Sequence, residues 1–392
     1  MSFDPQAATR ILIDGLGTEA LAKAEAYTTG NHWMLLWGIV VSAIAAWLLV
    51  RSGVLDKVYG KLEARSRWLR TLAVAATYLI VSSVIAMPWS IYSEWCREAQ
   101  YDRTSQPLAD YLSQGGIGLV ISVIGGSLFL LALYALIRKT GRVWWAWGGG
   151  LVVAFLAFVL LLSPIVIEPL FNDFEPIPEG EVRDAVLAMA DEAGIPEDRI
   201  FVFDGSRQSN NFTANVSGIG GSARIAISDV ALGEASLDEV KAVTGHEIGH
   251  YVLGHVWRTV FVLSAVAILV LFLASRLYPV LARWLGSNAP IGDIRGLPVL
   301  ALAITITATL ASPITNSLTR IGESEADAYS LETVGLPDAL AGALVKTAEY
   351  RYPRPGKLEE MLFYTHPSVE NRILRAMEWK AANPPQTVPD AQ

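Results

Sequence analysis

The stretch 237–277 decides how this chain folds: LDEVKAVTGHEIGHYVLGHVWRTVFVLSAVAILVLFLASRL. Its first part spaces apolar and charged residues as a helix does, and 259–277 is an apolar run without a charge in its centre. About 20 apolar residues suffice to cross a membrane, because a helix rises about 1.5 Å per residue through a hydrocarbon core of about 30 Å. The pattern therefore predicts one unbroken helix that begins at Leu237 and enters a membrane.

Other apolar segments of similar length surround this stretch in the sequence. The chain has 392 residues, of which 52% are hydrophobic and 17% charged, with a mean hydropathy of +0.38, whereas soluble domains carry about 25% charged residues. Six apolar segments leave too little polar sequence to cover them in water. We expect a mainly α-helical, polytopic membrane protein with six spans: 32–50, 71–91, 117–137, 144–170, 259–277 and 297–318.

Residues 173–258 have a different character. Helical spacing over Glu181–Ala193 is followed by β-rich runs at 200–203, 212–216 and 223–227, and Gly218, Gly220 and Gly221 predict a hairpin turn before the last run. This mixture predicts an α+β domain. The expected divisions are a non-spanning segment without a signal peptide (1–30), a four-span membrane domain (31–172), the α+β domain (173–258), two further spans (259–318), a helical C-terminal part of that domain (319–381) and a disordered tail (382–392).

The net charge argues against a nucleic-acid partner, and the cysteine content limits the kinds of covalent and metal site. The formal net charge is −8, so the chain has no basic surplus with which to neutralise the phosphates of a nucleic acid. The single cysteine, Cys96, excludes an internal disulfide framework and a cysteine-based zinc site.

His246-Glu-Ile-Gly-His250 is the motif that indicates chemistry. Positions i and i+4 share a helix face, so both imidazoles can reach one metal ion, and Glu247 beside it can take a proton from the attacking water. A chance match on an amphipathic helix is the alternative. His255 follows His250 by five residues and faces another way, so a third ligand must come from elsewhere.

Glu323 and Asp327 are candidates for that third ligand. They also stand at i and i+4, so one can bind the metal while the other orients a ligand histidine. Helical spacing alone leaves open a second interpretation, a solvated acidic helix start, which is favourable near a helix N-terminus.

Together these residues resemble the CAAX prenyl protease 1 family of integral-membrane zinc metallopeptidases. The resemblance rests on the His-Glu-x-x-His motif, on Arg320-x-x-Glu323-x-x-Ala-Asp327 about seventy residues later, and on segments 87–92, 168–180 and 364–368. It extends from about residue 25 to 380 and is more specific than the similarity to the heat-shock membrane protease HtpX, which shares only the zinc core.

The resemblance implies a zincin-like fold for the α+β domain, one bound zinc ion per chain and a role for individual residues. Glu323 becomes the third zinc ligand, Asp327 orients a ligand, and His255 either is structural or orients a ligand. His366 assists at the substrate carbonyl or its developing oxyanion; the alternative is a helix-capping role ahead of Pro367 and Ser368. An edge strand pairs with the substrate backbone. The implied substrate-binding residues are Thr213, Ala214, Asn215 and Arg372.

Two departures from the family pattern bear on substrate and topology. The family usually has seven spans, where six are recognised here, and a His-Gly-Phe-Asn-like stretch, where this chain has Gln100-Tyr-Asp-Arg103. We therefore expect a zinc endopeptidase acting on membrane-associated or lipid-anchored proteins or peptides. The alternatives are a quality-control protease of the HtpX type and, from another class, a transporter or a non-catalytic zinc-binding scaffold.

The expected location is the lipid bilayer of a bacterial inner membrane. Six spans place the α+β domain on the side whose short segments carry four Lys and Arg residues, whereas the opposite side carries twelve. The positive-inside rule puts the twelve in the cytoplasm and the α+β domain outside, whereas the family resemblance implies the reverse.

Overall fold

The computed structural model describes residues 3–211, 213–217 and 224–384. The chain divides into two compact units. We call residues 31–171 and 257–315 the helical unit, and residues 1–30, 172–256 and 316–392 the mixed unit. Each unit contains segments that are distant in sequence, and three long helices contribute to both.

Long helices build the helical unit. Among the described residues, five helical stretches are long and apolar enough to cross a membrane: Thr18–Ser52, Arg67–Gln100, Leu108–Leu170, His255–Leu285 and Ile294–Thr333. Every predicted segment falls within one of them. The helices themselves are α2 (Thr18–Ser52), α3 (Val54–Lys61), α4 (Arg67–Ser90), α5 (Arg97–Gln100), α6 (Leu108–Thr140), α7 (Trp144–Leu162), α11 (His255–Leu285) and α12 (Leu297–Thr333).

The stretch Leu108–Leu170 contains two of the predicted spans. A short 3₁₀ turn, Gly141–Val143, separates α6 from α7, and the two helices pack against each other, with the rings of Phe129 and Phe155 4.9 Å apart. α6 and α7 are therefore two neighbouring helices within one of the five stretches, one for each predicted segment.

The mixed unit begins with α1 (Pro5–Asp14), which is capped by the Asp4 side chain. Ile13 on this helix is fully buried among residues of the C-terminal helices, including Ile373 and Met377. The N-terminal segment is therefore part of the core of the mixed unit. The other helices are α8 (Glu181–Glu192), α9 (Asp229–Glu234), α10 (Leu237–Val252), α13 (Pro337–Thr347), α14 (Lys357–Phe363) and α15 (Val369–Ala382), together with the C-terminal end of α12.

A four-stranded sheet completes the described part of the mixed unit. Its strands are β1 (Phe174–Pro176), β2 (Ile200–Phe203), β3 (Ala214–Ser217) and β4 (Arg224–Ser228), in the order β1-β2-β4-β3. β2 and β4 are parallel, and β3 runs antiparallel to β4 with Ala214 opposite Ile227. β3 is consequently an edge strand. The predicted glycine turn and most of the predicted tail lie outside the described residues.

The expectation of one unbroken helix from Leu237 was wrong. α10 ends at Val252 and α11 begins at His255, because Gly254 takes a left-handed conformation with φ +66°. Glycine adopts this conformation without the steric cost that a side chain would add. Apolar periodicity continues on both sides of the break, which is why the pattern conceals it.

Candidate active site

Helix α10 carries the His-Glu-x-x-His motif and has a well-defined start. The Ser236 side chain accepts a hydrogen bond from the Glu239 backbone N–H, while the Glu239 carboxylate accepts one from the Ser236 N–H. This reciprocal capping box satisfies backbone donors that a helix N-terminus otherwise leaves unpaired. The motif therefore lies on a helix whose N-terminus is stabilised by a capping box.

Two glycines allow α10 to approach the C-terminal end of α12 closely. A Cβ atom added to Gly249 would lie 3.1 Å from the Cβ of Tyr329, and one added to Gly245 would lie 2.5 Å from Val334 Cγ2. The Ser330 hydroxyl donates to the Ala242 carbonyl across the same contact, at 2.6 Å. These two glycines stand four residues apart on one face of α10, and no role was predicted for them from the sequence.

The close approach brings three side chains together. His246 Nε2 lies 3.2 Å from His250 Nε2 and 3.2 Å from Glu323 Oε2. His250 Nε2 lies 3.4 Å from Glu323 Oε1. Among the described residues, these three form the one group of histidine and acidic side chains able to hold a metal ion. They are the three residues predicted to do so.

His246 is backed by a buried ion pair. Its Nδ1 lies 2.9 Å from Asp327 Oδ1, and Arg372 donates to both Asp327 oxygens, at 2.7 Å each. Burial lowers the pKa of His246, but its contacts with Asp327 and Glu323 outweigh this and raise the pKa to about 10. Asp327 lies where the resemblance implies. Arg372 contacts Asp327 and also lines the cavity, so its substrate-binding role stays a prediction.

His250 is backed differently. Its Nδ1 lies 2.9 Å from the Nδ1 of His255, and His255 Nε2 lies 3.0 Å from Glu325 Oε2. The turn at Gly254 places His255 so that it reaches back to the preceding helix. Glu325 stands two residues after Glu323 and so lies on another face of α12; no function was predicted for it from the sequence.

Glu247 and His366 face the same three side chains. Burial raises the pKa of Glu247. His366 Nε2 lies 3.3 Å from Glu323 Oε2, and its Nδ1 lies 2.9 Å from the Thr365 hydroxyl. Burial, and then the positive charge of Arg351, lower the pKa of His366 to about 3. The imidazole of His366 is therefore neutral near pH 7.

A cavity of about 340 Å³ opens onto this group. Thr213 and Ala214, at the start of the edge strand, lie along it, as the substrate-binding prediction requires. For Asn215 the structure describes only the backbone, which pairs with Ala226. Residues of α13 and of the segment after it also line the cavity, and none of them was predicted from the sequence. They are Leu340, Ala343, Leu344, Thr347, Tyr350 and Arg351.

Comparisons with known proteins agree with this architecture. Residues 176–380 match the model of peptidase family M48, and residues 7–173 match that of the CAAX prenyl protease N-terminal region, with five membrane helices. The crystal structure of S. mikatae Ste24p superimposes with a TM-score of 0.75 at 22% identity, covering 94% of this chain and 90% of that one. The shared fold confirms the predicted class, a polytopic helical membrane protein with an α+β metalloprotease domain.

Two relatives in sequence cover most of both chains. The "uncharacterized metalloprotease YhfN" of Bacillus subtilis is 28% identical over 365 residues, which span 91% of this chain and 85% of that protein. A "CAAX prenyl protease 1 homolog" of Oryza sativa is 29% identical over 343 residues, which span 86% and 79% respectively.

Proposed function

The chain belongs to peptidase family M48 and is a membrane metalloendopeptidase, and we propose that its metal is zinc, held by His246, His250 and Glu323. The family favours this activity over the transporter and scaffold alternatives. Two histidines and a glutamate are a recurring ligand set of catalytic zinc sites that leave one coordination position open.

The spacing of the donor atoms is the observation that carries this proposal. Ligand atoms held tetrahedrally at about 2.0–2.1 Å from zinc lie about 3.4 Å from one another. The three contacts among His246, His250 and Glu323 measure 3.2, 3.2 and 3.4 Å. The site therefore has the dimensions that one zinc ion requires.

Glu247 acts as the general base in this proposal. A zinc ion bound here supplies Lewis-acid activation of water and of the scissile carbonyl. Because burial raises its pKa, the Glu247 carboxylate is a stronger base than an exposed glutamate. It takes a proton from the attacking water and passes that proton to the leaving amine.

His366 stabilises the negative charge that develops on the carbonyl oxygen. The Thr365 hydroxyl can donate to Nδ1 of the neutral ring, which leaves the proton on Nε2, the nitrogen that faces the site. A neutral N–H donor aimed at a developing oxyanion stabilises the transition state more than the ground state.

The substrate we propose is an extended segment of a membrane-associated or lipid-anchored protein. β3 ends the sheet in the order β1-β2-β4-β3, so its outer edge can add a peptide strand through main-chain hydrogen bonds. Thr213 and Ala214 lie where that strand meets the cavity. Prenylated proteins and misfolded membrane proteins are the two substrate sources to compare.

Two carboxylate substitutions test the metal and the base separately. Glu323→Ala should give purified protein with substoichiometric zinc by elemental analysis. Glu247→Gln should keep one zinc per chain and lose roughly 10²–10⁴ in turnover, the usual contribution of general acid–base catalysis. Near-full peptidase activity in Glu247→Gln would contradict the mechanism, and full zinc content in Glu323→Ala would contradict the ligand set.

We also propose a bacterial inner-membrane location with the active site on the extracytoplasmic face, as the charge count favours. Single cysteines at Glu192 and Ser52, in a background without Cys96, test this with a membrane-impermeant thiol reagent. Intact cells should label the cysteine at Glu192, which is exposed on α8. Labelling at Ser52 instead would place the active site in the cytoplasm, as the family resemblance implies.

A further inference from the structure

Arg351 brings an unpaired positive charge to the active-site cavity. It lines that cavity together with Glu247, Glu323 and His366. Its guanidinium lies 5.4 Å from the centre of the Tyr350 ring. No hydrogen bond or ion pair joins Arg351 to any other residue in the part of the chain that the structure describes.

Two neighbouring arginines of the mixed unit have carboxylate partners. Arg372 donates to both oxygens of Asp327. Arg354 donates to Glu370 at 2.7 Å and to Asp14 at 2.8 Å. Arg351 is partly buried, like Arg354, and burial lowers its pKa, yet it lacks such a partner among the described residues. A sheltered charge without a counter-ion is costly, so a carboxylate entering the cavity would bind there favourably.

The two carboxylates that line the cavity, those of Glu247 and Glu323, have other partners or roles. Glu323 contacts His246 and His250, and Glu247 is the base of the proposed mechanism. Leu340, Ala343 and Leu344 form an apolar wall along α13 near Arg351. The cavity thus combines an apolar surface with one guanidinium whose planar donors match a carboxylate.

We propose that Arg351 selects substrates that carry a carboxylate close to the scissile bond, beside an apolar residue that packs on α13. The inference rests on the proposed peptidase function and makes it more specific. The carboxylate is either an Asp or Glu side chain or the C-terminus of the substrate. Both present the same planar oxygens to the guanidinium.

A peptide panel measures this selection and separates the two sources. All peptides in the panel are quenched fluorescent substrates that share one apolar core. They carry either Glu or Gln on each side of the cleaved bond, and the C-terminus is either free or amidated. The zinc-loaded wild-type protein should prefer one carboxylate form by roughly 10–100-fold in kcat/KM, the effect of a charge-assisted hydrogen bond. Arg351→Gln should bring that ratio close to one, and Arg351→Lys should keep part of it.

Arg354→Gln is the matched control, because it removes a guanidinium three residues away that is bound to Glu370 and Asp14. It should keep the wild-type ratio. Peptide binding to zinc-loaded Glu247→Gln, with and without Arg351→Gln, gives the same comparison without turnover. A wild type without preference, or an Arg351→Gln protein with the wild-type ratio, would overturn the inference. Arg351-dependent binding without hydrolysis by the wild type would instead contradict the peptidase mechanism alone.

Discussion

The two histidines of the motif have unlike supports. Behind His246 stand Asp327 and Arg372, whose side chains are 3% and 7% exposed. Behind His250 stand His255, which is 7% exposed, and Glu325, which is 43% exposed. The partners of His246 are a buried ion pair. Of the partners of His250, His255 is buried and Glu325 is partly exposed to solvent.

This difference determines how the imidazoles of His246 and His250 are oriented toward the metal. A metal on Nε2 requires the proton on Nδ1, and a partner that accepts from Nδ1 fixes that tautomer. For His246 the acceptor is a carboxylate with a bidentate arginine behind it. For His250 the acceptor is Nδ1 of His255, whose Nε2 lies 3.0 Å from Glu325 Oε2. We expect His246 to be the more rigidly held ligand.

Of the three substitutions that test this difference, removing the charge of Asp327 should lower zinc affinity and stability the most. Asp327→Asn leaves the buried Arg372 guanidinium with only its longer contact to Glu323, at 3.7 Å, and breaking a buried pair this way costs about 3–5 kcal/mol. It also weakens the acceptor for His246, and loss of such partners lowers metal affinity by roughly 10–100-fold. Chelator competition should show weaker zinc binding, and the melting temperature should fall with and without zinc.

A double variant controls for the buried charge. Asp327→Asn with Arg372→Met removes both charges, so the melting temperature should recover while zinc affinity stays low. Equal recovery of zinc affinity would show that Asp327 acts on stability and does not position His246.

The sequence allowed the ligand set and much of the fold to be predicted. His246 with His250 and Glu323 with Asp327 share faces because helical spacing is local, and the resemblance selected Glu323 for the metal. The contact between Glu325 and His255 depends on the turn at Gly254, where apolar periodicity gives no signal. Arg351 follows α13 in a segment without regular periodicity, so only three-dimensional packing places it in the cavity.

Removing the His255 side chain should have an intermediate effect on zinc affinity. His255→Ala leaves the Nδ1–H of His250 without its acceptor, so zinc affinity should fall by about tenfold, the low end for such orienting partners. The melting temperature should change less than in Asp327→Asn, because no buried charge is left unpaired. His255→Gln supplies a carbonyl acceptor and should restore part of the affinity. Identical zinc binding in wild type and His255→Ala would remove His255 from the orienting role.

Neutralising Glu325 should have the smallest effect, since this carboxylate is 43% exposed. A carboxylate this exposed contributes little to its neighbours, and salt screens what it contributes. Glu325→Gln keeps an acceptor oxygen for His255, so zinc affinity should fall by no more than about fivefold, the upper range for an exposed pair. The gap between Glu325→Gln and wild type should narrow as salt is raised, whereas the effect of Asp327→Asn should persist. A loss as large as that of His255→Ala, unchanged by salt, would mean that Glu325 acts as a buried partner, and the contrast between the two supports would fail.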